Sequence, residues 1–194
     1  MEEKVVEVTG SQRKGIVRLV FTALFAAIIS AGAFIAVPVG PVPIVLQNLF
    51  TLLAGLVMGP VLGSAAVGLF LVAGIIGLPV FANTGAPMGI ARLMGPTGGF
   101  LLGYLLGALV AGLIVGFPRP GKKTPLWRVA LAVAAGMLTV YVPGLIRMKF
   151  LLDIDWERTF AIGFLPFIAG DALKGIVAVL ITPRLRRIAS QLLA

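Results

Sequence analysis

Apolar residues run along this chain in six blocks, most of them near the roughly 18 to 20 residues that cross a bilayer as a helix. They cover Val17 to Val37, Val42 to Met58, Val61 to Leu78, Gly98 to Phe117, Val129 to Ile146, and Phe160 to Ile181. Helix-breaking and charged residues fall between them: Pro38-Val-Gly-Pro-Val-Pro43, Gly59-Pro60, Pro118-Arg-Pro-Gly121 and the charged stretch Arg147 to Arg158. The pattern predicts an all-α integral membrane protein with six transmembrane helices, organised as a single domain over residues 1–194. Residues 1–16 form a polar segment ahead of the first span, which lacks a small-residue cleavage site and reads as a retained helix, not a signal peptide. Between the third and fourth spans lies the stretch Gly77 to Gly107, GLPVFANTGAPMGIARLMGPTGGFLLGYLLG. Gly and Pro interrupt it too often for continuous helix, and it is too apolar for an idle solvated linker. A long loop of this kind is expected to be a lid or wall over a binding site.

The distribution of Lys and Arg adds an orientation. With the N-terminus in the cytoplasm, the inner segments hold Lys4, Arg13, Lys14, Arg18, Arg119, Lys122, Lys123, Arg128, Arg184, Arg186 and Arg187, and the outer ones only Arg92, Arg147, Lys149 and Arg158. This is the positive-inside pattern. Both termini are therefore expected to be cytoplasmic, with the long loop between helices 3 and 4 extracellular.

Composition changes this picture little and narrows the chemistry. The chain is 59% hydrophobic and 12% charged, where a soluble domain carries about a quarter charged residues. The net charge of +9 arises from short basic runs between apolar blocks and not from one basic face, so no nucleic-acid partner is expected. Cys and His are absent, which excludes thiol nucleophiles, disulfides, Cys/His zinc sites and His general bases. No GxxxxGK[ST] phosphate loop occurs, so ATP hydrolysis is not expected in this chain. No internal repeat is apparent.

Small residues recur at fourfold spacing. Ala23, Ala27 and Ala31 make a flat stripe on the first span, suited to internal packing or to docking a separate membrane subunit. Gly55, Gly59 and Gly63, and Gly99, Gly103, Gly107 and Ala111, suit close packing of helices within the molecule. The sixth span contains Asp171 and Lys174, three apart and so on one helix face. Charges there cost about 2.5 to 3.5 kcal/mol each on insertion and usually line a cavity or pathway. With Asn83, Arg92, Gln47, Thr97 and Tyr104 as further polar groups, and Phe81, Leu93, Met94 and Phe100 as walls, the inventory is that of a small-molecule site. It suits a ligand with a carboxylate at one end and neutral hydrogen-bonding groups at the other. An enzyme is disfavoured, because Asp171 has no second carboxylate or His beside it to complete an acid–base pair. A ligand-free membrane scaffold in which the polar groups simply pair is the other alternative.

Five segments carry a family resemblance. Pro43-Ile-Val-Leu-Gln47 leading to Leu53-Ala-Gly55, Gly77-Leu-Pro-Val-Phe81, Gly95-Pro-Thr-Gly-Gly99, Gly103-Tyr104 and Gly170-Asp-Ala-Leu-Lys174 occur in the order of the BioY biotin-transporter family, which the chain resembles from the first span to the sixth. The family comprises substrate-binding S components of energy-coupling factor transporters. The resemblance implies high-affinity biotin binding and uptake across the cytoplasmic membrane, with no cofactor in the chain and ATP used only by partner subunits. It implies an EcfT-type transmembrane coupling protein and two cytoplasmic ATPases as partners, docked in part through Ala23, Ala27 and Ala31. It further implies that Asp171 and Asn83 meet the ureido ring, with Lys174 and Arg92 serving the ligand carboxylate or holding Asp171 in place. Gln47, Phe81 and Tyr104 complete the expected substrate-binding set. Another small vitamin on the same architecture is the nearest alternative.

Overall fold

Hydropathy marks where the helices of this chain form, and Gly and Pro mark where they end. The computed structural model describes residues 2–37, 44–82 and 88–193, with side chains from residue 12 onward except at 36 and 37. Among the described residues, five helical segments are long and apolar enough to cross a membrane: Gln12–Ala31, Gln47–Ile75, Gly98–Val115, Leu126–Leu152 and Trp156–Leu193. The first belongs to α1 (Glu2–Ala31), so the helix starts within the segment expected as a polar leader and stops short of Val37. Beyond its end the apolar sequence continues in another form, with Ala36–Val37 (β1) pairing antiparallel to Ile44–Val45 (β2).

The second and third expected spans fall in one element, α2 (Gln47–Ile75), which leaves helical geometry only at Gly59, at φ 82° and ψ −177°. A side chain is strained at that φ, and Pro60 then begins the next turn without needing an amide donor. In a straight helix, residues 54 and 63 would lie about 13 Å apart along the axis. Here they touch: a Cβ placed on Gly63 would sit 2.5 Å from the Ala54 carbonyl oxygen. The chain therefore reverses at Gly59 into two antiparallel arms, 47–58 and 60–75. At the open end of this hairpin the buried Gln47 amide donates to the Val80 carbonyl over 2.8 Å.

Helix α3 (Ile90–Met94) is a short turn inside the stretch expected as loop, and α4 (Gly98–Val115) begins where the sequence pattern placed the fourth span. The α4 glycine stripe packs on α5 (Leu126–Leu152), with Gly103 against the Val140 carbonyl and Gly107 against that of Gly136. Such contacts leave no room for a Cβ, as the fourfold spacing predicts. The expected sixth span is divided into α6 (Trp156–Gly163), a 3₁₀ turn over Leu165–Phe167 and α7 (Ile168–Leu193). Pro166 explains the break, since its ring cannot sit in a helix interior. That break puts Asp171 in the first turn of α7, at the positive end of the helix dipole.

The centre of the bundle is α2, α4 and α5, with α7 packed across α2 and α5 and α1 along α2. Ala54, Leu56, Ala66, Val67, Phe70 and Ala108 are fully or almost fully shielded there.

Candidate functional site

Asp171 lies where α2, α5 and α7 converge. Its Oδ1 accepts from Asn48 Nδ2 at 2.8 Å and from Lys174 Nζ at 2.9 Å, and its Oδ2 accepts from Tyr141 Oη at 2.5 Å. The Asp171–Lys174 pair is the one the three-residue spacing predicts, and both side chains are buried. A carboxylate has about four lone-pair positions, so three donors leave room for one more. Tyr141 is held in place by edge-to-face contacts with Phe164, at 4.8 Å between ring centres, and Phe100, at 6.1 Å.

Two small chambers adjoin here, sharing Val45, Phe100 and Tyr104. One, of about 40 Å³, is lined by Asn48, Tyr141, Asp171 and Lys174 together with Val45, Phe100, Tyr104 and Phe167. The other, of about 30 Å³, is lined by Gln47, Phe81, Arg92 and Thr97, and again by Val45, Phe100 and Tyr104. Tyr104 and Phe100 are thus a shared wall between a chamber holding the Asp171–Lys174 ion pair and one holding Arg92. Arg92 is buried in the second, where its Nη2 donates to the Ala82 carbonyl, and the loss of hydration lowers its pKa from the usual guanidinium value. Phe81 sets its ring against Phe70, edge-on at 5.3 Å, and over Gly74.

Of the residues expected from sequence, Asp171, Lys174 and Tyr104 share the first chamber, and Gln47, Phe81, Arg92 and Tyr104 the second. Gln47 spends its amide nitrogen on the hairpin closure. Asn83 lies outside the described residues. Met94, expected as a wall, is 65% exposed; its carbonyl instead accepts from Arg147 Nη2 at 2.5 Å. Asn48 and Tyr141 were not among the expected residues. A signal existed for both, because each is a polar side chain within an apolar span, where such groups are functional candidates by default. Ala23, Ala27 and Ala31 all face outward, while the opposite face of α1 buries Ala26 and Ile29. Internal packing therefore does not use the alanine stripe.

The BioY family model matches residues 3–191. The chain belongs to the BioY family. Among BioY relatives, the biotin transporter of Thermotoga maritima is 39% identical over 171 residues, covering 88% of this chain and 96% of that protein. The probable biotin transporter of Pyrococcus horikoshii is 38% identical over 164 residues, covering 84% and 93%. Among solved structures, the S component for biotin from an ECF-type ABC transporter superposes with a TM-score of 0.76 at 30% identity, covering 89% of this chain and 92% of the other. BioY membership thus accounts for the motif order along the chain and for its helical architecture together.

Proposed function

We propose that this chain binds biotin and carries it across the cytoplasmic membrane as the S component of an energy-coupling factor transporter. The observation that carries this reading is the pair of chambers, with a buried carboxylate on one side and a buried guanidinium on the other, on a chain of the BioY family. Biotin has a ureido ring with two N–H donors and one carbonyl, an apolar thioether ring and a valerate carboxylate. Asp171 is suited to a ureido N–H, and its neighbours Asn48 and Tyr141 to the ureido carbonyl. Asn83 is assigned to the second N–H by its place in the family motif. Lys174, paired with Asp171 at 2.9 Å, serves to hold that carboxylate in place, and Arg92 in the other chamber is the cation for the valerate. Phe100, Tyr104 and Val45 between them suit the apolar middle of the ligand. Ligand sites usually exceed about 300 Å³, so binding requires that this shared wall move and the two chambers merge.

The finer architecture follows in the same reading. Counting the two arms of α2 separately gives six helical segments within the membrane, with the termini in the cytoplasm and the chambers toward the outside, as the Lys and Arg distribution favours. No cofactor resides in the chain; ATP is consumed by two ATPase partners joined through an EcfT-type coupling protein. The outward alanine stripe of α1 is the surface offered to that protein, supported by its not being used inside the molecule.

Titration calorimetry of the purified protein with biotin, desthiobiotin, lipoate and thiamine tests the ligand. Tight binding of biotin over lipoate and thiamine is expected, and equal binding of thiamine or no binding by folded protein would overturn the reading. For the docking surface, Ala27→Leu is expected to leave biotin binding unchanged while abolishing ATP-driven uptake in proteoliposomes containing the partners.

A further inference from the structure

A further cavity, roomier than either chamber, lies apart from both. It is a lateral groove of about 430 Å³ between α5 and α7, and it ends at the outer side of the Tyr141–Asp171 hydrogen bond. Small side chains create it: Ala134 on α5, and Ala172 and Gly175 on α7. Its floor is apolar throughout, so a polar solute would find only Tyr141 and Asp171 at one end. The helix surfaces beside it expose Leu131, Leu138, Leu173 and Leu180, the faces that a spanning helix turns to hydrocarbon.

The other end of the groove has a different chemistry. Ala172, Ile176 and Leu180 recur every four residues along its α7 side, and the next position in that stripe is the exposed Arg184. On α5, Ala130 lines the groove and Trp127 lies three residues before it, 68% exposed. An Arg and a Trp at the mouth of an apolar groove are the groups that meet a phosphate and an ester region at a membrane interface. The carboxylates whose side chains are described, Asp153, Asp155, Glu157 and Asp171, all lie toward the opposite end, so none of these competes for Arg184.

From this the geometry points to a site for one membrane phospholipid, its phosphate at Arg184 beside Trp127 and one acyl chain laid along the groove toward Tyr141. A chain so placed fills the gap that separates the Tyr141–Asp171 bond from the bilayer. This inference stands independently of which solute occupies the chambers.

Native mass spectrometry of the protein, extracted from its membrane in a mild detergent, reads the site directly. The parent is expected to retain one phospholipid. Ala172→Leu, which fills the groove from an exposed position, is expected to lose it, and Arg184→Gln to lower the retained fraction about tenfold, the effect of one charge-assisted contact. Leu113→Ala, on the exposed face of α4, serves as the control and should retain lipid like the parent. A parent that carries no lipid, or equal retention in parent, Ala172→Leu and Arg184→Gln, overturns the site and leaves the groove to a helix of a partner subunit. Circular dichroism of each variant verifies that it is folded.

Discussion

Helix α7 carries three buried charges, and two of them, Asp171 and Arg186, lie about four turns apart and are held in opposite ways. At its start, Asp171 is bound by side chains from three helices: Asn48, Tyr141 and Lys174. Near its other end, Arg186 is bound chiefly by backbone, donating to the carbonyls of Leu56 at 2.5 Å and Gly116 at 3.0 Å, and to Thr124 Oγ1 at 2.9 Å. Side-chain partners exchange by rotating about single bonds, whereas carbonyls at helix ends move only when helices do. Cavities accompany the first arrangement; the second closes the C-terminal end of α4 and pins it to the hairpin reversal of α2. On α7, therefore, the chamber lies at the charge whose side-chain partners can be replaced, and the charge tied to backbone closes the opposite end.

The comparison breaks most visibly at Arg186. Arg186→Met leaves several buried carbonyls without a donor, at about 1 to 3 kcal/mol for each orphaned group, and should lower the thermal unfolding midpoint in detergent while the surviving fraction binds biotin normally. Weakened binding at unchanged stability would put Arg186 in the site and dissolve the distinction. Next in size is Asp171→Asn, which keeps the shape and removes the charge. A loss of about 1.5 to 3 kcal/mol, or about 10- to 150-fold in biotin affinity, is expected by calorimetry, with the helical fold retained. Tyr141→Phe sharpens the contrast further, because it deletes a single hydroxyl from the Asp171 shell. About 1 kcal/mol of binding, near fivefold in affinity, should be lost. The smallest effect is expected from Gln47→Leu, which removes one hydrogen bond to Val80 and should cost about 1 kcal/mol of stability with little change in affinity. Should Gln47→Leu impair binding more than Tyr141→Phe, the second chamber would be the one that recognises the ligand's polar end.

Asp171 and Lys174 were legible in sequence because two local facts suffice: charges are costly in a span, and a spacing of three brings them to one face. The glycine stripes of α4 were legible for the same reason, since their partners differ but the need for closeness does not. Asn48 and Tyr141 were harder, because which helix faces Asp171 is decided by packing among elements far apart in the chain. Hydropathy also misjudged ends. The run through Val37 is apolar whether it is helix or the short β1 strand, and only the pairing with Ile44–Val45 distinguishes them. The Gly59-Pro60 step was recognised as a joint, yet its consequence, a full reversal that stacks Gly63 on Ala54, depends on a backbone angle that composition does not encode.

That reversal has a consequence for the depth of the site. The arm 47–58 rises only about 18 Å, against a hydrocarbon thickness of about 30 Å. Nearly all of it is buried, so no exposed surface must match the lipid, and a short segment is tolerated at the heart of the bundle. Asn48 lies at the open end of this arm, so a ligand bound as proposed rests on a plug little more than half as thick as the hydrocarbon layer. In the proposed function, that shallow insulating layer shortens the distance over which the cargo must be moved.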